Sequence, residues 1–133
     1  MRRPATTGLF LVFLLVSCNR DGALREAVVG TWSREIVDPT KKQVETLSFK
    51  SDGSCAREID AVHHLSDEDA AKLGKKELLN KSSTPCHWEI KDKKLIRKFE
   101  STTPYVMTQD FEVVNDELRI VVSAKLTETF KKK

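Results

Sequence analysis

"VETLSFKSDGSCAREI", residues 44–59, is the stretch that decides the fold. Its first half alternates apolar and polar side chains, which places Leu47 and Phe49 on one face. Asp52 and Gly53 then separate this run from a second one. An Asp-Gly pair between two alternating runs is among the strongest hairpin signals, because the tight turn needs residues that accept positive φ. The stretch therefore predicts two antiparallel strands joined by a short turn.

The same alternation recurs along most of the chain. Cys86, Trp88 and Ile90 share one face, as do Leu118 and Ile120 with Val122. A period of two residues indicates antiparallel strands with one buried face. The runs with strand character are 28–37, 44–50, 54–59, 86–91, 95–100, 105–114, 118–124 and 126–130.

One segment, residues 65–83, breaks this pattern and predicts a helix inserted between strands. Ser66 is a suitable N-cap, with Asp69 three residues later and acidic side chains throughout the first turn. Such residues stabilise the positive end of the helix dipole. The apolar stripe of this helix would consist of Ala70, Leu73 and Leu78.

The first 17 residues have the features of a secretory signal peptide. Arg2 and Arg3 precede an uncharged apolar run, residues 8–16. This run is much shorter than the roughly 20 residues of a membrane-spanning helix, and it fits the apolar region of a signal peptide. The alternative is that it forms an N-terminal element of the folded domain.

The end of this run, Leu15-Val16-Ser17-Cys18, resembles the lipobox of bacterial lipoproteins. The resemblance implies that residues 1–17 are removed and that Cys18 becomes a lipidated N-terminus. Residues 18–27 would then form a tether between the lipid and the domain. The membrane is therefore the first binding partner that the sequence suggests. By its resemblance to enterobacterial lipoproteins, the chain, with Asn19 after the cysteine, would lie at the outer membrane of the cell envelope and face the periplasm. The alternative is ordinary cleavage that releases a soluble protein.

Length and charge limit what the remaining chain can be. Removal of 17 from 133 residues leaves 116, enough for one domain, which we expect over residues 28–133. The whole chain carries 23 Lys and Arg against 20 Asp and Glu, and loss of Arg2 and Arg3 lowers the net charge from +3 to about +1. So balanced a charge does not favour nucleic acid as a partner.

Two cysteines, Cys55 and Cys86, remain once Cys18 is lipidated. In an exported protein such a pair predicts a disulfide, which would stabilise the fold by about 2–4 kcal/mol. The alternative is a metal site with His87 or with the neighbouring His63 and His64. No Cys-x-x-Cys motif and no spaced histidine pair supports it, so we expect no metal and no cofactor.

Three short motifs together resemble the small bacterial lipocalin-like domains. They are Gly-x-Trp at residues 30–32, Phe-x-x-Asp-Gly at 49–53 and Trp-x-Ile at 88–90. The resemblance implies a mainly β fold, an antiparallel up-and-down lipocalin-like barrel of about 7–8 strands with one inserted helix. Gly30 would allow close approach of the backbone, and Trp32 would pack over one barrel end. The structural signature would consist of Gly30, Trp32, Phe49, Asp52, Gly53 and Trp88.

The same resemblance suggests a binding module, a barrel that holds a small apolar or amphipathic ligand. The alternative is a filled barrel that docks onto another cell-envelope protein. We expect no enzyme: Asp67, Glu68 and Asp69 suit a helix start better than acid–base chemistry. Ser54 and the histidines form no recognisable triad.

Substitution of the predicted lipidation site tests the membrane anchor. We expect the full chain carrying Cys18→Ser to leave the membrane fraction, and its N-terminal peptide to lack the mass of a lipid. Ser17→Ala is the matched control, because it keeps a small residue before the cysteine and should remain anchored. If Cys18→Ser stays as firmly membrane-bound as the unchanged chain, the lipobox interpretation is wrong.

Overall fold

The computed structural model describes residues 20–133, so Cys18 and the predicted signal peptide lie outside the described residues. Eight antiparallel strands form a closed barrel, and two short helices accompany them. The elements in chain order are α1 (Arg20–Val28), β1 (Gly30–Asp38), β2 (Lys41–Phe49), β3 (Ser54–His64), α2 (Asp67–Leu73), β4 (Glu77–Lys91), β5 (Lys94–Phe99), β6 (Tyr105–Val114), β7 (Glu117–Ser123) and β8 (Leu126–Lys132).

Each strand pairs with the next one along the chain, and β8 closes the barrel against β1. The fold is therefore an up-and-down barrel, which confirms the predicted fold class. Pairing between β1 and β8 is confined to Trp32↔Lys132 and Ser33↔Lys131. β1 and β2 pair along their whole length, from Gly30↔Phe49 onward.

The hairpin predicted from residues 44–59 is present as β2 and β3. The Asp52 carboxylate accepts hydrogen bonds from the hydroxyl and the backbone N–H of Ser54, at 2.6 and 2.9 Å. These bonds lower the pKa of Asp52, the side-chain bond contributing most. Gly53 has a φ of +92°, a conformation that side chains with a Cβ rarely adopt. The Asp-Gly pair thus fixes the turn in two ways.

Three strand connections lie at the same end of the barrel, which we call the closed end. They are the β2–β3 turn and the two turns at residues 92–93 and 115–116. Both residues of each of the latter turns have positive φ, the backbone geometry that matches the twist of two-residue hairpins. The opposite end, which we call the open end, carries α2 and the remaining connections.

Helix α1 covers the closed end, so the described part of the segment predicted as a tether is helical and contacts the barrel. The Asp21 carboxylate accepts hydrogen bonds from the backbone N–H groups of Asp92 and Lys93, at 3.2 and 3.1 Å. Arg25 lies 4.4 Å from the Trp88 ring centroid, a cation–π distance. The helix is held because its polar side chains satisfy groups of the barrel turns.

Trp32 packs at the closed end, as the resemblance implied. Its side chain is buried, and its Nε1–H donates a 2.8 Å hydrogen bond to the carbonyl oxygen of Val28, the last residue of α1. This bond satisfies the one polar atom of a large apolar side chain and links helix to barrel. Around these two residues lies the apolar core, which includes Leu47, Phe49, Cys55, Cys86, Trp88, Leu95, Phe99, Leu118, Ile120 and Phe130.

The backbone at Gly30 requires glycine for a different reason from the one predicted. An added Cβ would meet only the flexible side chain of Lys132, at 3.4 Å, so space is not the constraint. The φ of +140° is the constraint, because residues with a Cβ rarely adopt it.

The predicted helix over residues 65–83 is wrong beyond Leu73. Ser66 caps α2 as predicted, accepting from the backbone N–H of Asp69, but Gly74 ends the helix in the left-handed conformation. From Glu77 onward the chain forms β4 and pairs with β3, beginning at Glu77↔His64. The apolar positions predicted for a helix stripe are not buried in α2. Hydrogen bonding to a neighbouring strand therefore outweighs the local helical pattern.

The prediction that Val122 shares the buried face of Leu118 and Ile120 is wrong. Leu118 and Ile120 are buried on β7, whereas Val122 is exposed. The pairing of β7 with β8 shifts by one residue between Val121 and Ser123, which interrupts the alternation there. Neither helix within residues 20–133 has the length and apolar character needed to cross a membrane.

The predicted disulfide is present: Cys55 and Cys86 lie opposite one another on β3 and β4 and are bonded at 2.04 Å. They are 31 residues apart in sequence. We expect the double variant Cys55→Ala/Cys86→Ala to lose about 2–4 kcal/mol of unfolding free energy in urea, since the unfolded chain gains loop entropy. The reduced wild-type chain should lose a similar amount. If the double variant and the wild-type chain have the same midpoint of urea unfolding, this prediction is wrong.

Candidate functional site

The open half of the barrel contains a cavity of about 290 Å³. Four charged side chains line it: Glu45, Arg57, Arg97 and Glu128. The rest of its wall is mostly apolar and aromatic, formed by Phe99, Tyr105, Met107, Ile120 and Phe130. The barrel is thus filled by its own side chains at the closed end and hollow toward the open end.

Strand alternation explains why charged side chains point into the barrel. Arg97 stands midway between the buried Leu95 and Phe99, and Glu45 stands two residues before the buried Leu47. Because successive side chains of a strand point to opposite faces, residues two apart share a face. These charges therefore occupy positions that the pattern reserves for the interior.

Glu45 is the centre of a buried ion-pair cluster and is 3% exposed. The Nε of Arg34 donates to its Oε1 at 2.7 Å, and the Nε of Arg57 donates to its Oε2 at 2.5 Å. Arg34 also pairs with Glu128 on β8. Both oxygens of the buried carboxylate are thereby satisfied by charged donors, the strong class of hydrogen bond.

Arg97 differs from the other two arginines because it contacts no carboxylate. It is 6% exposed, and its Nη2 donates to the Oε1 of Gln109 at 2.6 Å. Burial lowers the pKa of Arg97, while the charges of Glu45 and Glu128 oppose that shift. A guanidinium remains protonated in proteins, so Arg97 carries its charge inside the barrel.

Several apolar side chains are exposed near the rim of the open end. Ile36, Leu78 and Leu126 are exposed. Each is nevertheless on the inward-facing side of its strand, an even number of residues from a buried one. Tyr105 stacks on Phe99 with their ring centroids 4.8 Å apart. Exposed apolar side chains around a cavity entrance are typical of sites that admit a ligand.

The residues predicted as the structural signature lie together at the closed end, away from the cavity. Phe49 and Trp88 pack edge to face with ring centroids 5.2 Å apart. The Nε1–H of Trp88 donates to the carbonyl oxygen of Lys50 at 2.9 Å. Phe49 and Trp88, like Trp32 and the turn at Gly53, therefore stabilise the closed end of the barrel. They do not line the cavity.

The histidines and acidic residues considered as candidate catalytic or metal-binding groups do not form a common site. His87 pairs with Glu100 at 2.8 Å, and His64 lies 3.5 Å from Glu77. The acidic residues 67–69 are exposed at the start of α2, where they suit the helix dipole. Within residues 20–133, no three His, Cys, Asp or Glu side chains come together as potential metal ligands.

Reasoning from the sequence missed the whole charged cluster: Arg34, Glu45, Arg57, Arg97, Gln109 and Glu128. A usable signal was present, because a charged residue that replaces an apolar one within an alternating run points to the interior. Arg57, two residues after Cys55, and Arg34, two residues after Trp32, show this signal.

Comparisons of the chain with protein-family models, with curated proteins and with solved structures found no match. The fold itself therefore defines the class of structure: a closed, eight-stranded, lipocalin-like barrel whose open half holds a charged cavity.

Removal of the central charge tests the cluster. We expect Glu45→Gln to lower the unfolding free energy by about 2–3 kcal/mol, because two arginines lose their shared carboxylate yet stay partly solvated. Urea unfolding measures this loss. Glu112→Gln is the matched control: Glu112 pairs with Arg119 on the outer surface, and its loss should cost less than about 1 kcal/mol. Equal losses in both variants would contradict the buried role of Glu45.

Proposed function

We propose that the protein is a lipid-anchored, lipocalin-like lipoprotein that holds a small amphipathic ligand in the cavity of its open half. The observation that carries the proposal is a cavity with apolar walls and buried charged groups. Ligand sites combine these features, mostly apolar surface with a few polar groups that fix orientation. At about 290 Å³ the cavity is near the lower limit of such sites, roughly 300 Å³, so the ligand is small.

The mixed lining favours an amphipathic ligand over a purely apolar one. Met107 and Ile120 offer apolar contacts, whereas Arg57 and Arg97 also line the cavity and are charged. A wholly apolar ligand would remove water from the two guanidinium groups without replacing its hydrogen bonds, which costs free energy. A ligand with one polar end avoids that cost.

The proposed anchor also gives the barrel an orientation. Cys18 precedes Arg20, the first residue of α1, by two residues, which span at most about 7 Å. Since α1 packs on the closed end, a lipid on Cys18 would hold that end next to the bilayer. The open end would then face away from the membrane, into the periplasm if Asn19 directs the protein to the outer membrane.

A second function, docking onto another cell-envelope protein, is favoured by one observation. β4 pairs with β3 from Glu77 onward, but it pairs with β5 only from Cys86. The preceding residues of β4 therefore leave one strand edge unpaired, and Leu79 in this segment is 73% exposed. A free strand edge can accept a strand from a partner protein.

Octanoate, octanol and octylammonium, which share one apolar chain, test ligand binding. We expect calorimetric titration of the full chain to detect binding of at least one of them. Met107→Trp should weaken that binding at least about tenfold, because the larger side chain occupies the cavity. Val106→Trp is the matched control, since Val106 is the exposed neighbour on the opposite face of β6 and should leave binding unchanged.

Absence of binding for all three compounds would overturn the ligand-binding proposal. So would equal binding by the Met107→Trp and unchanged chains, since the ligand would then lie outside the cavity. If no compound binds and an envelope protein co-purifies from detergent until Leu79→Lys removes it, docking is the function.

A further inference from the structure

One residue that lines the cavity, Arg97, has a buried hydrogen-bond donor that the protein leaves without an acceptor. Within the described residues, Arg97 Nε is the buried side-chain nitrogen or oxygen atom that lacks a hydrogen-bond partner. The same guanidinium uses Nη2 to donate to Gln109. Buried polar groups in proteins are nearly always satisfied, so Arg97 has hydrogen-bonding capacity that the rest of the protein does not use.

The charges around this donor do not balance. Glu45 is held by Arg34 and Arg57, and Glu128 by Arg34, so both carboxylates of the cluster already have direct cationic partners. Three arginines thus face two glutamates, and Arg97 is the arginine paired only with a neutral amide. Counted with Arg34, the cluster of charged side chains around the cavity therefore carries one excess positive charge.

The walls beside Arg97 are suited to an apolar chain. Its guanidinium carbon lies 5.3 Å from the ring centroid of Phe99, and Met107 and Ile120 complete the adjacent wall. A ligand with an anionic end at Arg97 would thus place its apolar part against these side chains, with the exposed Tyr105 ring at the rim.

We propose that the ligand is a small amphipathic carboxylate whose carboxylate accepts hydrogen bonds from the guanidinium of Arg97, which lines the cavity. This inference rests on the proposed function and names its ligand class. A carboxylate suits the site because it carries a single negative charge, equal to the excess positive charge of the cluster. A phosphate monoester carries nearly two, and Glu45 and Glu128 would repel the second. The planar guanidinium also matches a planar carboxylate in geometry.

The three octyl compounds separate this inference from the proposed function. We expect the full chain to bind octanoate at least about tenfold more tightly than octanol, and octylammonium more weakly than either, because only octanoate supplies a charged acceptor. In nitrogen-15 NMR spectra, the Nε–H resonance of Arg97 should shift on addition of octanoate and stay in place with octanol.

Variants of Arg97 test the assignment to this residue. Arg97→Met keeps the length of the side chain and removes its charge and donors, so octanoate should bind at least about tenfold more weakly and lose its advantage over octanol. Arg97→Lys keeps the charge but not the Nε donor, and it should recover part of the difference. Arg119→Met is the matched control, because Arg119 pairs with Glu112 and Glu117 on the outer surface. Circular dichroism and thermal unfolding check that each variant is folded.

The outcomes are distinct. If all three compounds bind in the cavity with similar affinity, the carboxylate inference is wrong and the proposed function stands. If none binds, both fail. If octanoate is preferred but Arg97→Met binds it as tightly as the unchanged chain, Arg97 is not the recognising residue. The comparison of head groups needs no variant, so it decides the inference even if Arg97→Met does not fold.

Discussion

A carboxylate buried inside a small barrel must have cationic partners, and this constraint organises the open half of the molecule. Glu45 can be buried because Arg34 and Arg57 donate to its two oxygens. Their long side chains occupy interior positions that apolar residues would otherwise fill. Since Arg34 also serves Glu128, the arrangement fixes β1, β2, β3 and β8 relative to one another and leaves Arg97 without a carboxylate.

The two halves of the barrel therefore differ in how completely side chains fill them. At the closed end, Trp32, the disulfide and α1 fill and cover the interior. Toward the open end, the pairing of β1 with β8 stops at Ser33 and that of β6 with β7 begins only at Phe111, so the strands separate. An eight-stranded barrel is just wide enough to be filled by side chains or to hold one small ligand. This one is filled at one end and hollow at the other.

Much of the fold could be predicted because its signals are local. The Asp52-Gly53 turn, the alternation of the strands and the N-cap at Ser66 depend on residues within a few positions of each other. The disulfide followed from the cysteine count and the inferred export. The error after Leu73 had a non-local cause: the backbone hydrogen bonds that make residues 77–83 a strand come from β3, and nothing within the segment specifies them.

The sequence by itself determined most of the antiparallel strands, their turns and the apolar face of each strand, because a period of two follows from the geometry of each strand alone. Only the tertiary structure decided which interior charges meet. Arg97 and Gln109 become partners through the register of β5 with β6, and Arg34 reaches Glu128 because the barrel closes. Register and closure bring together residues far apart in the chain, so no local pattern could show that one cavity-lining arginine would be left with an unpaired donor.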